Sequence, residues 1–400
     1  KARKGLQDLD AHASKTSQGM GSKFGSLGGV FGKLGGSIGG AALLMGGMAG
    51  AAVGVGAAFG GIISAGAGFE KTMSAVQAVT DASGEDMKQL SQLAKKMGSE
   101  TKFSASQAAE GMQYLGMAGF KTNDIMKAMP GMLSLAAAGQ LDLGRAADIT
   151  SNIMSGFGLK ADTAGHAADV LAKAAANSNT NVEQMGEAMK YASGSASTVG
   201  FTMEETSAAM MAMANAGLQG SVAGQAWGTS LNRLAKPTKA MKRVMNELNL
   251  AFFDAQGKIK PLPQIVSELE QKTVGMTNQQ KTATLATLFG AEAFKNWAAL
   301  MKVGGEELGK ITDGLVHADG AAKKMADTMS NNLSGKWDEF KSKLEGLGIT
   351  IFTIIAPALY AILQGAINAV KGVDLFIQSI IPLDSYTAGV KKIAEALGAM

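Results

Sequence analysis

Four hundred residues suffice for a sizeable core and for two or three domains. An apolar fraction of 46% excludes a disordered chain, and 18% charged residues fall below the ~25% of an average soluble domain. The absence of cysteine excludes disulfides, thiolate nucleophiles and thiolate metal sites together.

The net charge of +4 is local. Lys1, Arg3, Lys4, Lys15, Lys23 and Lys33 face only Asp8 and Asp10, which leaves 31 charges of each sign beyond Lys33. A basic pI carried by one arm does not argue for a nucleic-acid binder. Lys1 in place of an initiator Met fits an excised or processed piece of a longer chain. The apolar stretch that follows is too long for the h-region of a secretory signal.

The first region, 1–68, is this basic arm running into a Gly/Ala tract. From Leu34 to Phe69 no side chain is charged, a length above the ~20 residues that span a bilayer. Gly28, Gly32, Gly36 and Gly40, then Gly46, Gly50 and Gly54, recur at four-residue spacing, which on a helix makes a smooth strip for close backbone packing. Gly costs about 1 kcal/mol per residue against Ala in a helix, so the segment needs partners or lipid to stay helical. Leu43-Leu44-Met45 and Ile62-Ile63 are too apolar for a solvated linker.

The second region, 69–320, reads as many short amphipathic helices. Ser104 with Gln107, Thr202 with Glu205 and Thr277 with Gln280 form capping boxes, and Asn181 with Gln184 a looser one. Gly119, Gly139, Gly156, Gly194, Gly217 and Gly290 are the expected helix ends. Pro130 is expected to kink or split one helix, and Lys236-Pro237 marks a boundary. Strand signal is confined to Leu250–Phe253 and Lys258–Lys260, a short hairpin around Asp254–Gly257. Phe103–Glu110 aligns with Leu141–Asp148 at a spacing of 38, which suits helix pairs but not a regular solenoid.

The third region, 321–400, begins polar and turns apolar. Between Glu345 and Lys371 lie 25 uncharged residues, 346–370, long enough for a membrane span with Pro357 as a tolerated kink. The fold class is therefore all-α: a Gly-rich apolar N-terminal helix, a multi-helix core with at most a short hairpin, and apolar C-terminal helices.

The residues offer no assembled chemistry. His12, His166 and His317 are too scattered for a metal pair, and no Gly-Lys pair is followed by the Ser or Thr of a phosphate loop. Gly54-x-Gly56 lacks the third glycine of a dinucleotide loop at its required place. Gly35-Gly-Ser37-Ile-Gly39 matches a nucleophile elbow in letters but lacks its strand–turn–helix context. Glu204-Glu205 and Glu306-Glu307 sit at helix starts, where carboxylates favour the dipole. No catalytic, cofactor or metal residue is assigned, and the chain is read as non-enzymatic.

The middle of the chain resembles the core of bacteriophage tail tape measure proteins. The resemblance runs from Gly68-Phe-Glu-Lys-Thr-Met-Ser74 through Ala108–Leu115, and its most specific part is Gly217-Leu-Gln-Gly220-Ser221-Val-Ala-Gly224 followed by Leu231-Asn-Arg-Leu234-Ala-Lys-Pro237. Phe253–Lys258, Leu288–Ala293, Ser334–Trp337 and Ala356-Pro-Ala358 follow in order, so that about 68–360 is covered. One departure is Gln225-Ala-Trp-Gly228, which delays an expected Thr. The resemblance implies a structural protein in the lumen of the tail tube whose length sets tail length. It also implies release at infection, ahead of the DNA, to help genome passage across the host envelope. Its implied partners are other copies of itself in parallel, tail tube and tail-tip proteins and the host membrane, with genome DNA only by proximity. An unrelated membrane-active pore former or secreted effector is the alternative, and it would insert alone into liposomes. An envelope-degrading enzyme is the third class, and it would clear a zymogram.

Overall fold

The computed structural model describes the backbone of residues 48–380 and the side chains of 60–368, 370 and 371. Among the described residues there are sixteen α-helices. In chain order they are α1 (Met48–Thr80), α2 (Gly84–Glu100), α3 (Ala105–Met117), α4 (Thr122–Gly139), α5 (Leu143–Phe157), α6 (Ala164–Ala176), α7 (Val182–Val199) and α8 (Met203–Asn215). There follow α9 (Gly220–Ala235), α10 (Lys239–Glu247), α11 (Leu262–Lys272), α12 (Asn278–Phe289), α13 (Phe294–Val303), α14 (Gly305–Val316), α15 (Ala321–Ser330) and α16 (Leu333–Ile380).

Local chemistry fixes most starts. All three expected capping boxes form: Ser104 and Gln107, Thr202 and Glu205, and Thr277 and Gln280 exchange side-chain and backbone bonds. Asn181 accepts from the Gln184 amide. Ser83 with Asp86 adds a fourth box, and Asp142 and Thr238 cap α5 and α10. The two aligned segments at spacing 38 both open helices, at Ser104 and Asp142.

The helix ends need two corrections. Gly156 and Gly194 lie inside α5 and α7, and the left-handed caps are Gly158 (φ 64°) and Gly200 (φ 108°). The physical reason for Gly156 is packing: a Cβ there would strike the Ser193 side chain of α7. Pro130 does not split its helix, and α4 runs unbroken through it. The expected hairpin shrinks to one antiparallel bridge, Phe253 to Ile259, closed by a turn at Asp254–Gly257.

The described helices divide into two compact units. One is Gly68–Gly346, and the other joins the described residues 48–67 with 347–380. In the larger unit α7 packs against α5, α8 and α9, while α4 packs against α6 and α15. Its core is mostly Ala, Leu and Met, closed by an aromatic column. Trp297 stacks on Phe289 at 3.9 Å and on Trp227 at 5.1 Å, with Phe201 and Phe252 at the ends. Ser230 accepts from the Trp297 indole at 3.0 Å and donates to the Trp227 carbonyl. Each large side chain buried in this way contributes about 1.5–3 kcal/mol.

In the second unit the middle of α1 meets α16. Gly66 is buried where any Cβ would overlap Phe352, and Ile349, Ile351 and Ile355 are buried beside it. Gly66, which lies outside the glycine strip read from the sequence, is thus a point of close approach between the two helices.

Candidate functional site

The most specific sequence motif folds into one turn and one helix. Leu218 donates its amide to Met213 O at 2.9 Å, which ends α8 and requires the positive φ of Gly217 (82°). Gly220 (φ 58°) redirects the chain into α9. Gly217, Gly220 and Ser221 come together on the wall of an open groove of about 580 Å³, whose opposite wall is Asn181, Glu183 and Glu187. The Gln219 side chain donates to Asn179 O, and the Asn179 amide donates to Asn215 at 2.8 Å, tying the turn to the start of α7.

The rest of the motif is packing. A Cβ on Gly224 would strike the Ala188 carbonyl, so α9 and α7 touch backbone to backbone there. Leu231 and Leu234 are buried in the core. Pro237 separates α9 from α10, whose Thr238 cap follows at once.

Sequence reading missed the charged network beside this groove. Arg145 pairs with Asp148 at 2.9 Å, with Glu183 at 3.4 Å and with Glu187, and Lys190 reaches Asp148 at 3.4 Å. Burial opposes the Arg145 charge, but the bond and charge of Glu187, then Asp148 and Glu183, outweigh it and raise its pKa. The only sequence signals were Arg145-x-x-Asp148 and Glu183-x-x-x-Glu187, which place these charges on facing helices.

His166 sits between Glu204 (3.0 Å) and Asp319 (2.8 Å). Asp169 accepts from the Gly320 and Ala322 amides at the start of α15, and Lys173 donates to Gly314 O and His317 O at the end of α14. One face of α6 therefore staples the α14–α15 connection. His317 instead bonds back to Asp313 O. His12 lies outside the described residues. Among the described residues no group of His, Asp and Glu is placed to hold a metal.

Of the glycine strip, Gly28, Gly32, Gly36, Gly40 and Gly46 also lie outside the described residues, while Gly50 and Gly54 fall within α1. Among the described residues one helix is long and apolar enough to cross a membrane. It is α16, with a mean hydropathy of 2.1 over its most apolar window.

The profile of a family described as "Phage-related minor tail protein" matches residues 91–290, half of the chain. The chain is also 42% identical over 302 residues to a "Tape measure protein" of Pneumococcus phage Dp-1, a match covering 76% of this chain. The chain belongs to the phage tail tape measure family. A "Probable tape measure protein" of Escherichia phage P2 is 30% identical over 317 residues, 78% of this tape measure chain. The chain spans 26% and 39% of the lengths of these two relatives. No solved structure matches it. The matched residues 91–290 contain the Gly217–Pro237 motif, the groove, the Arg145 network and most of the aromatic column.

Proposed function

We propose that this chain is the folded core of a tape measure protein. It acts as a structural element of the tail lumen during assembly and leaves with the genome at infection. The single observation that supports this most is the 302-residue match to the tape measure protein of phage Dp-1, carried by an all-helical structure whose specific motif is packing and turn geometry. On this reading the chain is not an enzyme. It works through copies of itself in parallel, with tail tube and tail-tip proteins around it and genome DNA only nearby.

The three-part division into 1–68, 69–320 and 321–400 gives each part a task. The glycine strip packs copies together, the helical core forms the folded body, and the apolar stretch 346–370 enters the host envelope after release. In support of the last, only 22% of the apolar window of α16 is buried within the chain. Such a surface suits lipid or another protein better than water.

The test is a phage carrying a stop codon within this coding segment. Loss of tails, or tails of irregular length, with rescue by the wild-type chain, is the expected outcome. Normal tails of normal length without the protein would overturn the reading. For the envelope step, the chain should resist alkaline extraction from host membranes after infection. Recovery wholly in the soluble fraction counts against a membrane role.

A further inference from the structure

The first four turns of α16, up to Gly346, have two unlike faces. On one, Ser342 donates to Gly98 O and to Phe103 O at 2.8 Å, and the Glu345 carboxylate accepts from the Ser106 amide at 3.1 Å. That face is held to the α2–α3 corner. The opposite face carries Leu333 (88% exposed), Trp337 (57%), Phe340 (49%) and Leu344 (51%), with Trp337 and Phe340 stacked at 5.5 Å.

The spacing of these four residues is four, three, four. That is a heptad, two apolar positions in seven, and such a narrow stripe is the seam of a coiled coil. An interfacial lipid-binding helix instead presents a broad apolar face. In this heptad the edge positions are Lys336 and Lys343 on one side and Lys341 on the other, with Ser334 the neutral fourth. The acids lie further round: Glu339 pairs with Lys336 (3.0 Å) and Lys343 (2.8 Å), and Asp338 with Lys341 (2.8 Å). Exposed pairs of this kind are weak and exchange readily.

A second copy in parallel would set Lys336 beside the Lys341 of its neighbour, a like-charge contact that works against pairing. We propose that Leu333, Trp337, Phe340 and Leu344 form a docking seam for an amphipathic helix of another protein, one with aliphatic core positions and Glu or Asp at both edges. This stands on the α16 face alone and does not depend on the role in tail length.

The experiment titrates the purified chain with two synthetic four-heptad peptides, both with leucine at the core positions, one with glutamate and the other with lysine at the edges. The glutamate peptide should bind at least about tenfold tighter. Lys336→Glu, Lys341→Glu and Lys343→Glu together should invert the preference. Trp337→Glu should abolish binding of both peptides while leaving the helical circular dichroism and melting unchanged. Equal binding of the two peptides, or none, overturns the proposal. So does a dimer in sedimentation that Trp337→Glu dissolves, which would make a second copy the occupant. Capture by phosphatidylglycerol vesicles that Trp337→Glu prevents would make lipid the occupant, and also overturns it.

Discussion

Two helical glycines with opposite surroundings give the sharpest residue-scale contrast. Gly194 in α7 is exposed, and a Cβ there meets nothing within 4 Å. Gly194→Ala should therefore raise stability by about 0.5–1 kcal/mol through helix propensity and a less flexible unfolded chain. Gly224 faces the Ala188 carbonyl, and Gly224→Ala should lower stability by about 1–3 kcal/mol because two backbones must move apart. Urea midpoints of the two variants should shift in opposite directions, and a shift in the same direction would contradict the packing described for α7 and α9. His166 supplies a pH dependence at the same scale. Its partial burial opposes the charge, but the hydrogen bonds that the ring donates to Asp319 and Glu204, with the charges of those carboxylates, win, and its pKa is raised above the usual 6.5. A raised folded value means that the stabilisation is fully present below about pH 6.5 and is lost as pH climbs through the folded value. Urea midpoints followed from about pH 6 to about pH 9 should fall more steeply for the wild type than for His166→Gln. Equal slopes would show that the staple does not depend on the imidazolium. Asp169 and Lys173 keep their bonds to the backbone of the α14–α15 connection in both proteins.

At the scale of the element, what was legible in the sequence was what the chain decides within four residues. The boxes at Ser104, Thr202 and Thr277 are bonds between residues three apart, so spacing alone identifies them. Gly156 was misread because a helix-interior glycine and a capping glycine look alike in sequence. Only the approach of α7, 37 residues later, tells them apart. Pro130 was weighed by its missing amide alone, whereas the rest of α4 is buried on Ile125, Met129, Met132 and Leu133 and holds the helix together. The groove at Gly217 and Gly220 was half legible. The motif residues stood out, but Arg145, Glu183 and Glu187 become a site only when α5 and α7 are placed side by side. Helix contact can be checked chemically in the smaller unit. An ideal Cβ on Gly348 lies 3.4 Å from the Ala65 Cβ, close to the ~3.5–4.5 Å of a disulfide. The chain has no native cysteine, so an Ala65→Cys, Gly348→Cys pair should close under mild oxidation and give a gel shift reversed by reductant. The pair Gly60→Cys, Gly348→Cys should not close. Linkage of both pairs alike would mean that α1 slides along α16 and does not dock at Gly66.

For the whole molecule, the division of labour between folded body and measured length is the consequential question. The unit Gly68–Gly346 contains 279 residues. As one extended helix they would cover about 420 Å at 1.5 Å per residue. A compact domain of that size has a radius of gyration of about 19 Å and so spans roughly 50 Å. The buried aromatic column and the backbone contact at Gly224 belong to the second case, because neither exists in an isolated helix. If the unit stays folded in the tail, its removal should leave length nearly unchanged, and the measuring must be done by sequence that continues as single helices. In-frame deletion of 68–346 should then shorten tails by no more than about 50 Å in electron micrographs. Where the deletion blocks assembly, a tandem duplication of the same segment provides the second measurement, with an increase of about 50 Å expected. A change near 420 Å in either variant would show that the bundle opens into extended helix inside the tube, and that the structure described here belongs to the protein before packing.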